Sequence, residues 1–208
     1  MMLKSLMDSV MERRSRHLLE QVSEWLPAEG PVLDLGSGTG HLSARLERER
    51  GLEVIPADVS DIHVVGRSPV LIADGLLPFE GGTFSAALLL FMLAYPNDPI
   101  AVLSEAARVT RGPIILVQTL HSNRFGYAWL RFREFLWTIV AFRVSKWIGY
   151  VSPDATFSMS TRRFYTPQSL QRELAAAGLQ VGARRERALL PGGSLFVAAL
   201  MLEPVTHA

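Results

Sequence analysis

Three glycines at alternate positions, Gly36, Gly38 and Gly40, directly follow the short apolar run Val32-Leu-Asp-Leu35 and precede a helix-forming stretch at 41–50. No other feature narrows the fold as far. Glycine has no Cβ, so the chain can turn sharply there and press bare backbone against a ligand. The free N–H groups and dipole of the following helix favour an anionic group. Three alternating glycines are more than a plain strand-to-helix turn requires. The dinucleotide pattern G-x-G-x-x-G, counted from Gly36, demands glycine where His41 stands, and the chain has no Gly-Lys-Ser/Thr tripeptide of a phosphate-binding loop. The loop therefore fits neither nucleotide pattern.

The flanking residues set the architecture. An amphipathic helix is expected over 5–26, with Val10, Leu18, Leu19, Val22, Trp25 and Leu26 on one face. Short apolar runs at 31–35, 52–57, 69–73, 83–91 and 113–118 read as strands, and helices are expected at 41–50 and 98–109. Asp98 can cap the second of these, with Pro99 in its first turn. A helix over 167–177 ends at Gly178. Strands at 179–188 and 195–202 follow, joined by a glycine-rich link that makes them an antiparallel hairpin. The pattern predicts an α/β fold: a doubly wound, mostly parallel, seven-stranded sheet ending in an antiparallel hairpin.

Composition removes several function classes. The 208 residues suit one domain. Lys plus Arg is 21 and Asp plus Glu is 20, a net charge of +1, which argues against a nucleic-acid partner held by bulk charge. There is no cysteine, so disulfides, thiolate catalysis and cysteine-held metal sites are excluded, and no metal is expected. The first residues lack an apolar core and a small-residue cleavage site, and no stretch reaches the length of a membrane span. A cytoplasmic location is expected.

The motifs together resemble those of the class I S-adenosylmethionine-dependent methyltransferases, of the small-molecule "type 11"-like kind. VLDLGSGTG is similar to their first motif, Ala57-Asp58-Val59-Ser60 to the acidic end of their second strand, and Ala73-Asp74-Gly75 with Leu77-Pro78-Phe79 to the lead into their fourth. Asp98-Pro99 with Glu105–Val109, and Phe164–Pro167 with 175–179, are similar to later segments. The resemblance covers about 31–119 and 164–202. It implies a Rossmann-like sheet, an enzyme and S-adenosylmethionine as cofactor. Backbone at Gly36, Gly38 and Gly40 would hold the methionine end. Asp34 would favour its ammonium group. Asp58 would accept from the ribose hydroxyls, and Asp74, with the Gly75 N–H beside it, would take the adenine. The implied organisation is one methyltransferase domain over 1–208: an N-terminal helix at 1–30, a cofactor-binding half at 31–121, a helical cap at 122–163, and a last helix and hairpin at 164–208. Only ten residues, 59–68, separate the second and third strands, where the family usually has a helix, so a loop is expected there.

Methyl transfer needs alignment more than acid–base machinery, so the absence of a triad is no objection. His121 after the fifth strand is the candidate base, and Tyr95 after the fourth is a candidate to orient the substrate or shield the cofactor. His17 and His63 look incidental. The run Leu93-Ala-Tyr-Pro-Asn-Asp98 lacks the Asn/Asp-Pro-Pro-aromatic pattern of many N-methylating relatives, which favours O- or C-methylation.

Residues 122–163 hold Phe125, Tyr127, Trp129, Phe132, Phe135, Trp137, Phe142, Trp147 and Tyr150, interleaved with Arg131, Arg133, Arg143 and Lys146; the apolar positions recur at helical spacing and predict one or two helices over 125–148. Three readings stand: a cap packing its aromatics on the core, a cap lining an apolar substrate pocket, and a basic–aromatic face (125–150) lying on a membrane or partner. A small-molecule acceptor is expected, with oligomeric state open. The alternative function is an S-adenosylmethionine-binding partner or regulatory protein without turnover.

Overall fold

The computed structural model describes residues 2–73, 75–136, 142–152, 161–190 and 192–202. The chain begins with α1 (Met2–Val22), then β1 (Val32–Leu35), α2 (His41–Arg50), β2 (Val54–Asp58), β3 (Val70–Leu71), β4 (Ala86–Leu90) and α3 (Pro99–Val109). It continues through β5 (Ile114–His121), α4 (Arg124–Phe135), α5 (Phe142–Trp147), α6 (Pro167–Ala176), β6 (Leu179–Leu190) and β7 (Gly193–Leu202). One seven-stranded sheet runs in the order β3-β2-β1-β4-β5-β7-β6. β1 to β5 pair in parallel, and β7 is reversed between β5 and β6. The doubly wound sheet and its closing hairpin are as the sequence predicts.

Side-chain alternation along the strands builds two cores, one on each face of the sheet. Val32, Leu88, Ile115 and Val117 face α1 and α2, meeting Leu18, Leu19, Val22 and Leu46. Leu33, Leu89, Ile114 and Leu116 face the other way and meet Leu103 of α3 and Leu170 and Leu174 of α6. β1 and β4 are apolar throughout apart from Asp34 because both of their faces are covered. Val10, placed by its spacing on the buried face of α1, is exposed instead, while Leu18, Leu19 and Val22 are buried.

Residues 59–69 contain no helix, as the short spacing implies, and β3 is reduced to two residues. The caps are local: the Asp98 side chain accepts from the Ala101 N–H at 3.0 Å, and Thr166 forms a capping box with Ser169. β6, the outer edge, carries Arg184, Arg185 and Arg187, charges that discourage edge-to-edge pairing.

Candidate functional site

Chain order fans out in both directions from β1, to β2 on one side and β4 on the other, and the crevice at such a reversal is where doubly wound sheets hold ligands. A cavity of about 620 Å³ opens there. Its floor includes Asp34, Gly36, Gly38 and Asp58. Its far side includes Gly75, Leu77 and Glu105. Its roof comes from Met11 and Arg14 of α1 and from Phe142, Tyr150 and Val151 of the insertion.

Asp34 and Asp58 are buried, at 3% and 6% exposure, although both line this cavity. Asp34 Oδ2 accepts from the Ser43 hydroxyl at 2.6 Å. Burial is the main cause pushing the Asp34 carboxyl up to about 6; the Ser43 hydrogen bond opposes the shift and the nearby Asp58 adds to it. Asp58 Oδ2 accepts from the Gly38 N–H at 2.9 Å and Oδ1 from the Val59 N–H at 2.7 Å. Burial also raises the Asp58 pKa, against those backbone donors. A carboxylate oxygen holds two lone pairs, so Asp58 can still accept from a ligand.

The third glycine of the loop has a different task. Gly40 is absent from the cavity wall and caps α2 at a φ of 82°. A Cβ on Gly40 would lie 2.4 Å from the Val65 oxygen. Gly40 lets the shortened 59–69 loop close against the glycine turn. His63, which looked incidental, anchors that closure: its Nδ1 lies 2.6 Å from the Arg67 carbonyl oxygen, and its Nε2 is 2.8 Å from the Ser37 hydroxyl. Since a carbonyl can only accept, Nδ1 carries the proton and Nε2 accepts from Ser37.

Two further expectations are corrected or left aside. His121 lines no cavity described here. β5 runs three residues past its expected end, so His121 stays in the sheet, opposite Gly193, with its ring 5.3 Å from that of Tyr127. Asp74 and Trp137 lie outside the described residues. Tyr95 does line the cavity, and its hydroxyl donates to Glu134 Oε1 of α4 at 3.1 Å. Burial foremost, with Glu134 beside it, pushes the phenol well above its ordinary range. Tyr95 therefore stays protonated and can position a ligand but not take its proton.

His41 and Tyr150 also line the cavity. His41 is buried, with Nε2 3.1 Å from Asp8 of α1 and 3.3 Å from the Tyr150 hydroxyl of the insertion. This cluster ties the N-terminal helix and the insertion to the start of α2. The aromatics of α4 do not pack into the core as one reading of the insertion expected: among its residues only Gly126 and Leu130 are buried.

With that geometry in hand, the likeness to known proteins decides the family. The methyltransferase domain family matches residues 7–183. The chain belongs to that family. Methyl transfer from S-adenosylmethionine is the chemistry of the methyltransferase domain, and the chain is an enzyme of that kind. An S-adenosylmethionine-dependent methyltransferase from Methanosarcina mazei superposes with a TM-score of 0.57 at 16% identity, over 88% of this chain and 97% of that one. A geranyl diphosphate C-methyltransferase from Streptomyces coelicolor, solved with S-adenosylhomocysteine, gives 0.59 at 10% identity over 94% and 80%. The 4+2 cyclase SpnF gives 0.63 at 14% identity over 93% and 82%. Its chemistry differs, so these structures speak for the fold alone. No curated protein matches the chain.

The methyltransferase site suits the cofactor by its donor set. A buried carboxylate with a raised pKa gains from a cation in the same cavity, and Asp34 is that group. A ribose carries hydroxyl donors, from which a cavity-lining carboxylate such as Asp58 could accept, and Gly36 and Gly38 line the same cavity.

Proposed function

We propose that this methyltransferase acts on a small, hydrophobic or aromatic acceptor, by O- or C-methylation rather than N-methylation. The observation that carries the cofactor half of this reading is the pair of buried carboxylates, Asp34 and Asp58, on one cavity floor beside the glycine turn. In this reading Gly36 and Gly38 face the methionine end, Asp34 its ammonium group, Asp58 the ribose and Gly75 the adenine side. Gly40 supports the turn from behind. When bound, S-adenosylmethionine supplies a sulfonium methyl that leaves by in-line displacement. The protein contributes enclosure and alignment: Phe142, Tyr150 and Met11 exclude water from above, and Tyr95 holds a fixed phenol at the cavity edge. The domain layout of the sequence reading, with the insertion as cap, belongs to this proposal. So does the absence of a nucleic-acid partner, which rests on the balanced charge.

Isothermal titration with S-adenosylhomocysteine tests the cofactor half, and absence of heat at high protein concentration overturns it. Release of S-adenosylhomocysteine from S-adenosylmethionine in the presence of a lipophilic metabolite extract tests turnover. Binding without release favours the alternative, a cofactor-binding partner or regulatory protein.

A second reading concerns the insertion's outer face. Phe125, Trp129, Phe132 and Phe135 of α4 are exposed, and Trp147 of α5 is 81% exposed. Arg124, Arg131, Arg143 and Lys146 are interleaved with them along the chain. This supports a peripheral contact with an anionic membrane surface through 125–150.

A further inference from the structure

A second cavity, of about 310 Å³, adjoins the first; Arg14, Leu18, Phe91 and Tyr95 wall both. Its apolar wall includes Leu18 of α1, Leu130 of α4 and Leu195 of β7, all three buried. Phe91, at the junction, holds a left-handed φ of 61°. Such strain in a bulky residue concentrates at functional sites.

α4 walls this cavity with one face and turns another away from it. Leu130, Arg133 and Glu134 are on the cavity side. Phe125, Trp129, Phe132 and Leu136 recur at steps of four, three and four, so they share a different side, and all four are exposed. A helix that serves only to cover a core buries its apolar stripe. α4 leaves most of its own in solvent. Arg124 and Arg131, seven positions apart, run along one edge of that stripe, and Arg133 stands at the other. α1 has a similar feature. Leu3, Leu6 and Val10 are exposed and share a side with Arg14, which walls both cavities. The first turn of α1 adjoins the end of α5: a Cβ on Gly149 would lie 3.3 Å from Lys4 Nζ.

Charge selects the occupant of this face. Residues 124–150 hold five basic side chains and one acid, Glu134, in a chain whose net charge is +1, so the rest of the molecule is net negative. An excess of like charge disfavours pairing with a second copy. Aromatic rings edged by arginines fit the headgroup region of an anionic bilayer, with the rings at the acyl boundary and the guanidinium groups reaching the phosphates. With the exposed side of α4 on a bilayer, the second cavity lies one helix thickness, about 10 Å, from the lipid.

We propose that the methyl acceptor is a membrane-resident amphiphile, drawn from an anionic bilayer past α4 so that its apolar chain lies in the second cavity. The proposal rests on the reading that the first cavity holds the methyl donor. It deepens that reading by making the membrane contact the route by which the acceptor arrives.

The test uses the whole protein saturated with S-adenosylhomocysteine, mixed with phosphatidylglycerol-containing vesicles that carry a diazirine-bearing hexadecanol. After illumination, labelled residues are mapped by mass spectrometry. Label is expected on the buried cavity residues Leu18, Leu130 and Leu195 as well as on the exposed side of α4. Pure phosphatidylcholine vesicles are expected to lower the cavity label about fivefold or more. Trp129→Ser with Phe132→Ser is expected to do the same while leaving S-adenosylhomocysteine affinity unchanged, because both side chains lie outside the two cavities. Label confined to exposed residues, or no label at all, overturns the proposal. So does cavity label that is equal in the double variant or from uncharged vesicles. The S-adenosylhomocysteine titration keeps the two readings apart: heat there without cavity label removes only the membrane-borne acceptor, whereas no heat removes the cofactor reading beneath it.

Discussion

Asp34 carries most of the electrostatic consequence of this fold. Its carboxyl is raised to about 6, so it is neutral below that pH and ionised above it. Its folded pKa exceeds the unfolded value, so its burial costs stability progressively as pH rises from about 4 to about 6. A ligand ammonium reverses the balance. Affinity for S-adenosylhomocysteine is therefore expected to fall as pH drops through 6, by a factor approaching about tenfold between pH 7 and pH 5. Asp34→Asn is expected to flatten that dependence; titrations at several pH values check both. Asp58 bridges the Gly38 N–H and the cavity, so Asp58→Ala removes the proposed ribose acceptor and a loop tether together. We expect a loss of S-adenosylhomocysteine affinity of about tenfold or more, roughly 1.4 kcal/mol, read by calorimetry. His121→Ala, by contrast, is expected to leave turnover unchanged, because His121 is outside both cavities; a large fall in rate would restore it as a base. Both acids were legible in the sequence through the motifs that carry the family resemblance; Asp34 is next to last in β1 and Asp58 is the last residue of β2. His121 was misplaced for a different reason. Local apolar periodicity does not show how far β7 extends the pairing of β5.

Among the elements, α4 is the one whose placement decides the site. Its first turn is pressed onto the β6–β7 link: the Ser122 N–H donates to the Gly192 carbonyl at 3.0 Å, and a Cβ on Gly126 would lie 1.8 Å from that oxygen. Only glycine allows so close an approach. Gly126→Val is expected to lift α4, costing roughly 1–3 kcal/mol. Thermal denaturation checks this, and an unchanged melting temperature would show that the approach is not tight. Lifting α4 also withdraws Glu134 from Tyr95. The helix itself was predicted from its apolar spacing, but the face it buries was not. Spacing shows that Phe125, Trp129 and Phe132 share a side, whereas the position of Gly126 against Gly192 turns that side outward. The replaced helix at 59–69 was legible from loop length alone. The pinning of that loop by His63 was not, because a hydrogen bond between residues 26 positions apart leaves no local pattern.

For the whole molecule, one roof is assembled from opposite ends of the chain. Asp8 in α1, His41 in α2 and Tyr150 after α5 meet over the first cavity. α4 and α5 also carry exposed aromatics, Phe125, Trp129, Phe132 and Trp147 among them. Among the described residues no helix is long and apolar enough to cross a membrane. The surface is instead expected to bind phosphatidylserine-containing vesicles, more weakly at high salt, and Trp129→Ser with Phe132→Ser to reduce that binding roughly tenfold. Co-sedimentation reads this out; equal binding by the double variant would exclude α4 as the contact. By itself the sequence determined the sheet, its glycine turn, the two floor acids and the family, because these depend on residues close in the chain and on periodicities of two and 3.6 residues. Only the tertiary structure decided the rest: that His121 stays within the sheet, that Gly40 supports rather than lines, and that Arg14 and Arg133 converge on one hollow. Those facts depend on residues tens of positions apart, brought together by helix docking and strand pairing.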